Sequence, residues 1–448
     1  MGRNPLLPLN ICIPDAEAHV MPDGKVYLYG SLDKELSGYC SDSYRVASSS
    51  DMKSWEVHPV SFTSDRVPWA GETSSKAHSS LSGVTCFDEL PAHIRKFIPE
   101  EMRETPIEQI IASIEENARQ GLPKDLRLYA PDAIEKDGRY YLYFCMSDDS
   151  EGVAVADSPQ GPFGEPKRLA VQGIDPAVFV DDDGQAYYYW GQFQANAARL
   201  SPDMMTLEKD SIVEGIVTER EHHFHEGSSM RKRNGIYYYV FADISRGKAT
   251  CLGYATSTSP LGPFTYQGVI IDNADCDPGS WNNHGSIEEI NGQWYVFYHR
   301  SSNHTQYLRR VCVEPITFDE NGLIQEVPMT SQGAGEPFVP GEWIPAYSAC
   351  GFFDGAYLDT IGSELDGAVR FQKNSEAVFR YFHNEQPVHT LEIRGCGAAV
   401  FRLEADGVLV GEGKAGEVIP ISLEAGTHEL RVKMLTDGKY ELHFLRLT

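Results

Sequence analysis

Along the chain, polar and apolar positions alternate in short runs, and one passage returns five times. Each copy has an acidic or polar opening, a short apolar run, a turn with glycine, then a strand dense in tyrosine. The copies are Pro14-Asp15…Asp23-Gly24-Lys25-Val26-Tyr27-Leu28-Tyr29, Pro131-Asp132…Asp137-Gly138-Arg139-Tyr140-Tyr141-Leu142-Tyr143 and Asp175-Pro176…Asp183-Gly184-Gln185-Ala186-Tyr187-Tyr188-Tyr189. The fourth and fifth are Glu226-Gly227…Asn234-Gly235-Ile236-Tyr237-Tyr238-Tyr239 and His284-Gly285…Asn291-Gly292-Gln293-Trp294-Tyr295-Val296-Phe297. Asp-Gly or Asn-Gly between apolar runs predicts a hairpin with a type I′ turn, which needs positive φ. The five glycines lie 114, 46, 51 and 57 residues apart, a spacing that suits the four-stranded blades of a propeller. Two blade tails match as well, Ser158-Pro159…Gly161-Pro162-Phe163 and Ser259-Pro260…Gly262-Pro263-Phe264. The expectation is an all-β chain, with a five-bladed propeller over residues 1–340.

The long first spacing holds a different pattern. Thr105-Pro106-Ile107-Glu108 reads as a capping box with proline at the first helical position. Ile107, Ile110, Ile111, Ile114 and Ala118 follow helical spacing, and Gly121 stands where a C-terminal cap belongs. A helical insertion over about 86–128 is predicted between blades one and two. After Pro340 the repeat stops, and short alternating runs with glycine turns over 341–448 predict a β-sandwich.

Composition narrows the partners. The chain has 448 residues, 41% hydrophobic and 23% charged, which excludes disordered and fibrous classes. No run of 18 apolar residues occurs, so no membrane partner is expected. A net charge of −27 repels phosphate backbones and argues against nucleic acid. The opening Met1-Gly2-Arg3-Asn4-Pro5-Leu6-Leu7-Pro8 lacks a secretory apolar stretch, and the nine scattered cysteines form no CxxC pair. Free thiols in a cytoplasmic protein are expected. Aromatics reach 11% of the chain, which suits β-rich cores and, at a few positions, sugar stacking.

The chemistry lies at the openings. Asp15, Asp175 and Glu226 each precede the turn glycine of their repeat by nine residues, and His284 precedes its own by eight. Equal offset means equal height on equivalent strands, so a propeller would gather three carboxylates and an imidazole at its axial channel. Carboxyls crowded in a concave site push one another's pKa values apart. Glycosidic cleavage requires that separation, since one acid must arrive protonated and another ionised.

Pro14-Asp15-Ala16, Ile174-Asp175-Pro176-Ala177-Val178-Phe179 and His225-Glu226-Gly227-Ser228-Ser229-Met230 resemble the three signature acids of glycoside hydrolase family 43. His284-Gly285-Ser286-Ile287 resembles that family's axial histidine region. The resemblance implies an inverting hydrolase of the α-L-arabinofuranosidase or β-xylosidase type, and exo action is expected because the insertion at 86–128 and the loop around 217–225 would wall the channel into a pocket. Such an enzyme acts on terminal sugars of oligosaccharides from arabinan, arabinoxylan or xylan. It assigns Asp15 as general base, Glu226 as general acid and Asp175 as the group that tunes the acid's pKa. Asp15 is followed by Ala16-Glu17 where proline is common, which makes Glu17 a rival out of register. Arg309 falls where the family has an arginine near the site, with Arg310 beside it. An inverting pair should stand about 6.5–9.5 Å apart.

No cofactor is required by such a reaction; His284 is where a structural calcium on the axis would be sought. His222-His223-Phe224-His225 reads as a pocket wall ahead of Glu226. Trp69, Phe193, Trp281 and His304 are expected to frame the sugar. The C-terminal domain resembles a family 6 carbohydrate-binding jelly roll, although Trp343, Tyr347 and Tyr357 suit core or inter-domain packing better than sugar stacking. Fructan hydrolases share five blades but open with Asn-Asp-Pro-Asn and carry Arg-Asp-Pro, whereas Asp175 follows Ile174. A galactosidase or galactofuranosidase of the same fold, and a sugar-binding propeller without catalysis, are the remaining alternatives.

Overall fold

The tyrosine-dense runs form the second strand of each of five antiparallel sheets. The computed structural model describes residues 2–70, 81, 84–90, 95, 98, 102–121, 126–360 and 367–448. Sheet one holds β1 (Glu17–Val20), β2 (Val26–Tyr29), β3 (Ser43–Ser49) and β4 (Glu56–Thr63). A helix, α1 (Ile107–Gly121), precedes sheet two, which holds β5 (Asp132–Lys136), β6 (Arg139–Cys145), β7 (Ser150–Ala156) and β8 (Gly164–Gln172). Sheet three is β9 (Ala177–Val180), β10 (Ala186–Trp190), β11 (Gln194–Arg199) and β12 (Val213–Thr218). After the single turn α2 (Glu219–His222) comes sheet four, β13 (Phe224–Arg233), β14 (Ile236–Asp243), β15 (Cys251–Ser257) and β16 (Thr265–Asp272). Sheet five has three strands, β17 (Ser286–Ile290), β18 (Gln293–Ser302) and β19 (Thr305–Ile316).

The first strands of the sheets touch in the order β1, β5, β9, β13, β17, and β17 returns to β1. A bridge between Ala16 and Gly285, with Ser286 Oγ donating to Ala16 O at 2.9 Å, closes the ring. The chain is therefore a five-bladed propeller. Residues near the N-terminus run beside β19: Leu6 N donates to Val311 O at 3.1 Å, and the Asn4 amide takes both backbone groups of Val313.

Most of the aromatics are core. Tyr29, Tyr143, Tyr188, Tyr189, Tyr238, Tyr239 and Tyr298 are fully buried. A phenol left unpaired there costs about 1–3 kcal/mol. The matching blade tails supply acceptors, since Tyr29 donates to Pro159 O at 2.7 Å and Tyr189 to Pro260 O at 2.9 Å. All nine cysteines are free, and seven are buried.

Not every turn is type I′. Asp137-Gly138, Asn234-Gly235 and Asn291-Gly292 have positive φ at both residues, as that turn requires. In sheets one and three only Gly24 and Gly184 do so, and three residues bridge Met21 to Lys25 and Asp181 to Gln185. Pro22 and Asp182 are the added residues, and the longer loop ends on a left-handed glycine.

Of the predicted insertion over 86–128, the structure shows α1 beginning at Ile107, with Pro106 O accepting from Gln109 and Ile110 rather than standing inside the helix. Residues 91–94, 96–97, 99–101 and 122–125 lie outside the described residues. From Ile344 to Leu447 two further antiparallel sheets face each other across an apolar core that includes Phe352, Phe379, Phe401 and Leu445. This sandwich is seated on the β18–β19 hairpin. Asn303 N donates to Leu358 O at 2.6 Å, Arg310 Nη2 to Thr360 Oγ1 at 2.8 Å, and the His304 and Tyr357 rings lie 5.5 Å apart.

Candidate active site

Counting strand pairs back from each turn puts Asp15, Ala130, Asp175 and His284 two residues before equivalent pairs: Glu17 with Tyr29, Asp132 with Tyr143, Ala177 with Tyr189, and Ser286 with Phe297. In sheet four the same count from Arg233 and Ile236 reaches Ser229 with Val240, and Glu226 lies three residues earlier. A bulge between Glu226 and Ser229 absorbs the added residue, with Gly227 at φ +74°. Equal offsets therefore arise in two ways, from a longer turn in sheets one and three and from this bulge in sheet four. All five positions line one cavity of about 270 Å³. A side chain at Gly227 would put its Cβ 2.8 Å from His284 Cδ2, so this place in the bulge accepts only glycine.

Asp15 is held at φ +55° and Asp175 at φ +54°, conformations uncommon outside glycine. Around Asp15 the charges are paired. Arg309 Nη1 donates to its Oδ1 at 2.8 Å, while Arg309 Nε and Nη2 reach both oxygens of buried Asp33 at 2.9 and 3.0 Å. Ser31 Oγ donates to Asp15 Oδ2, and His299 Nδ1 lies 3.3 Å from Oδ1. Burial pushes Asp15 up, but the Arg309 guanidinium and His299 outweigh it and hold the carboxyl well below the usual carboxylate range. Asp15 is ionised.

Asp175 stands opposite in character. Burial, then the charges of Glu226 and Asp15, push it well above its ordinary value. Glu226 accepts from Gln192 Nε2 at 2.9 Å and from Asn282 Nδ2 at 3.3 Å. Burial raises Glu226, yet His225 and these two amides bring it below its ordinary value. Asp175 and Glu226 titrate as a pair, and the shared proton favours Asp175. The sequence places that proton affinity on Glu226; in the free structure the amide donors stabilise its charge instead. His284 Nδ1 sits 3.8 Å from Asp15 Oδ1 and 3.7 Å from Asp175 Oδ2, and burial keeps the ring below its usual pKa.

The other predicted residues divide. Arg309 lines the cavity; Arg310 points away, donating to Leu9 O at 3.0 Å. Trp281 lines it as well. Trp69 does not: it is buried in the core beneath sheets one and two, stacked on Phe144, with Nε1 donating to Ser150 Oγ at 3.2 Å. Phe193 stands behind the wall, its ring edge-on to His225 at 5.3 Å and its N–H donating to His225 O. Of the His222–His225 tract only His225 reaches the cavity, while His222 is buried against Thr218 and Phe264. His304 turns toward the sandwich, against Tyr357. Trp343 is packed by Arg394, Arg446 and Phe444, and Tyr347 against the sandwich core. Glu17 lies deeper along the axis, where it meets Arg231 Nη2 at 3.2 Å. Gln192, Asn282 and Tyr39 line the cavity without having been singled out as site residues. Their only signal was nearness to Trp190-Gly191, His284 or Asp33 along the chain.

Residues 108–324 match the model of Glycosyl hydrolases family 43. A xylosidase/arabinosidase from Thermoclostridium stercorarium is 31% identical over 412 residues, covering 82% of this chain and 74% of that protein. CoXyl43, a family 43 β-xylosidase/α-arabinofuranosidase from a compost microbial metagenome, was solved with xylotriose in a calcium-free form. It is 29% identical with a TM-score of 0.54, over 73% of this chain and 98% of its own. Calcium can thus occur among such proteins. A Bacillus subtilis arabinoxylan arabinofuranohydrolase has the same fold over 100% of this chain and 98% of its own, at 21% identity and a TM-score of 0.54.

Proposed function

The chain belongs to glycosyl hydrolase family 43 and is an inverting glycoside hydrolase; from that premise we propose that it releases terminal α-L-arabinofuranosyl or β-D-xylosyl residues from oligosaccharides of arabinan, arabinoxylan or xylan. The observation that carries this reading is one small cavity that gathers three carboxyls, with Asp15 bonded to Arg309 and held low while Asp175, beside Glu226, is pushed up.

Asp15 is the general base. Each carboxylate oxygen accepts more than one hydrogen bond, so the contacts to Arg309 and Ser31 leave room for the attacking water. Glu226 delivers the pair's proton to the leaving oxygen, and Asp175, pushed up by burial and like charge, holds that proton on the pair above the ordinary carboxylate range. Gln192 and Asn282 orient the Glu226 carboxyl, and Arg309 fixes Asp15. A cavity of about 270 Å³ is on the scale of a terminal sugar rather than the middle of a polymer, which supports exo action.

A panel of nitrophenyl β-D-xylopyranoside, α-L-arabinofuranoside and β-D-galactofuranoside, with proton NMR of the first sugar anomer released, tests this. Cleavage of one or both pentosides with inverted product is expected. Silence on all three, with measurable sugar binding, would leave a propeller that binds without cleaving; a retained anomer would dismiss the base role of Asp15.

A further inference from the structure

One polar side chain of the cavity has no part in the acid–base scheme. Tyr39 lies on the loop joining β2 to β3 and lines the cavity together with Glu226 and Trp281. Its ring is fixed from two directions. The Arg309 guanidinium carbon stands 4.7 Å from the ring centroid, and Tyr307 meets the ring edge-on at 4.7 Å. Its main chain is tied as well: Arg127 Nη1 donates to Tyr39 O at 3.1 Å, and the next residue, Cys40, donates its N–H to Asp33 Oδ1 at 2.9 Å. Arg309, which holds Asp15, therefore also holds this phenol. The hydroxyl is nonetheless buried, and no group among the described residues pairs with it.

A buried hydroxyl is rarely left without a partner, and the anchored ring cannot turn this one toward bulk water. Burial raises the phenol, with the charge of Glu226 adding to the rise, so it stays neutral and both donates and accepts. A secondary hydroxyl of a sugar has the same double capacity. A site built to bond a substrate hydroxyl strongly disfavours an analogue that lacks it, since its own polar group is then stranded.

We propose that Tyr39 is a specificity-determining contact for the terminal sugar, its hydroxyl hydrogen-bonded to one ring hydroxyl of the residue being cleaved. The assignment rests on the hydrolase reading above. It predicts discrimination by hydroxyl position, which Asp15, Asp175 and Glu226 cannot supply because they act at the anomeric centre.

The test compares wild type and Tyr39→Phe on nitrophenyl pentosides and their monodeoxy analogues, with Tm measured alongside. Tyr39→Phe keeps the ring against Arg309 and Tyr307, so Tm should hold. On the parent sugar its kcat/KM should fall about three- to tenfold, the range of one neutral hydrogen bond. One deoxy analogue should show the same loss with the wild type and be cleaved equally by both proteins. Undiminished kcat/KM in Tyr39→Phe, or losses that multiply for every analogue, would overturn the contact. Titration of the free pentose and its deoxy forms into both proteins reads the same contact without cleavage. A wild type that cleaves nothing therefore sinks the hydrolase reading, while binding indifferent to Tyr39→Phe sinks this inference alone.

Discussion

Glu226→Gln should lower kcat on xylo- and arabino-oligosaccharides by about 10²- to 10⁴-fold, the range set by a positioned general acid. On dinitrophenyl pentosides, whose leaving group departs without a proton, the loss should stay within about tenfold. The amide cannot protonate the leaving oxygen, yet it nearly matches the carboxyl in shape. One of the donors Gln192 and Asn282 would meet its NH₂ group, at about 1 kcal/mol of stability. Unfolding is therefore not the source of the kinetic loss. The pH profile gives a second reading. The acid works in its protonated form, so wild-type kcat/KM falls as pH rises through the upper apparent pKa of the Asp175–Glu226 pair. Burial and like charge place that limb above the ordinary carboxylate range. With Glu226→Gln on an activated substrate the limb should disappear. An equal loss on good and poor leaving groups would strip Glu226 of the acid role.

Asp15→Ala should cost about as much, 10²- to 10⁴-fold, but without regard to the leaving group, because the missing step is deprotonation of water. Azide, which attacks without a base, should restore turnover and yield a glycosyl azide of inverted configuration. Arg309 keeps its two bonds to Asp33 in this variant, so the cavity wall survives. Stability supplies the control. Asp15's folded pKa lies below its unfolded value of about 3.9, so its contribution is present above that pH and is lost as pH falls toward the folded value. The Tm gap between wild type and Asp15→Ala should close progressively below about pH 4. A gap independent of pH would show that Arg309 does not hold Asp15 ionised.

The propeller was legible because repetition is visible without knowing the fold: the last four of the five Gly-turn passages lie 46 to 57 residues apart. The acids were legible for the same reason, through their distance from the turns. That distance alone misjudged how the register is kept. Nine residues mean a three-residue loop for Asp15 and Asp175 but a bulge for Glu226, and turn length and bulge cancel in a count. Arg309 and Arg310 are neighbours in the chain; only the alternation of β19 sends one to Asp15 and the other to Leu9 and Thr360. Trp69 was misplaced because an aromatic on a connection has no period to say whether it faces sugar or core. Gln192, Asn282 and Tyr39 carry no motif. They meet only because separate connections converge above the ring, and convergence of loops leaves no mark in spacing.

The left-handed residues at the cavity also explain which acid stands where. At φ near +55° a short side chain able to bond its own backbone is tolerated, and aspartate or asparagine is the usual occupant. Positions 15 and 175 therefore favour the shorter acid on backbone grounds, before any chemistry is weighed. Blade four hands the unusual φ to Gly227 and releases position 226 from that restriction. The extra methylene of glutamate meets no such preference there, and with it comes the reach a proton donor needs toward a departing sugar.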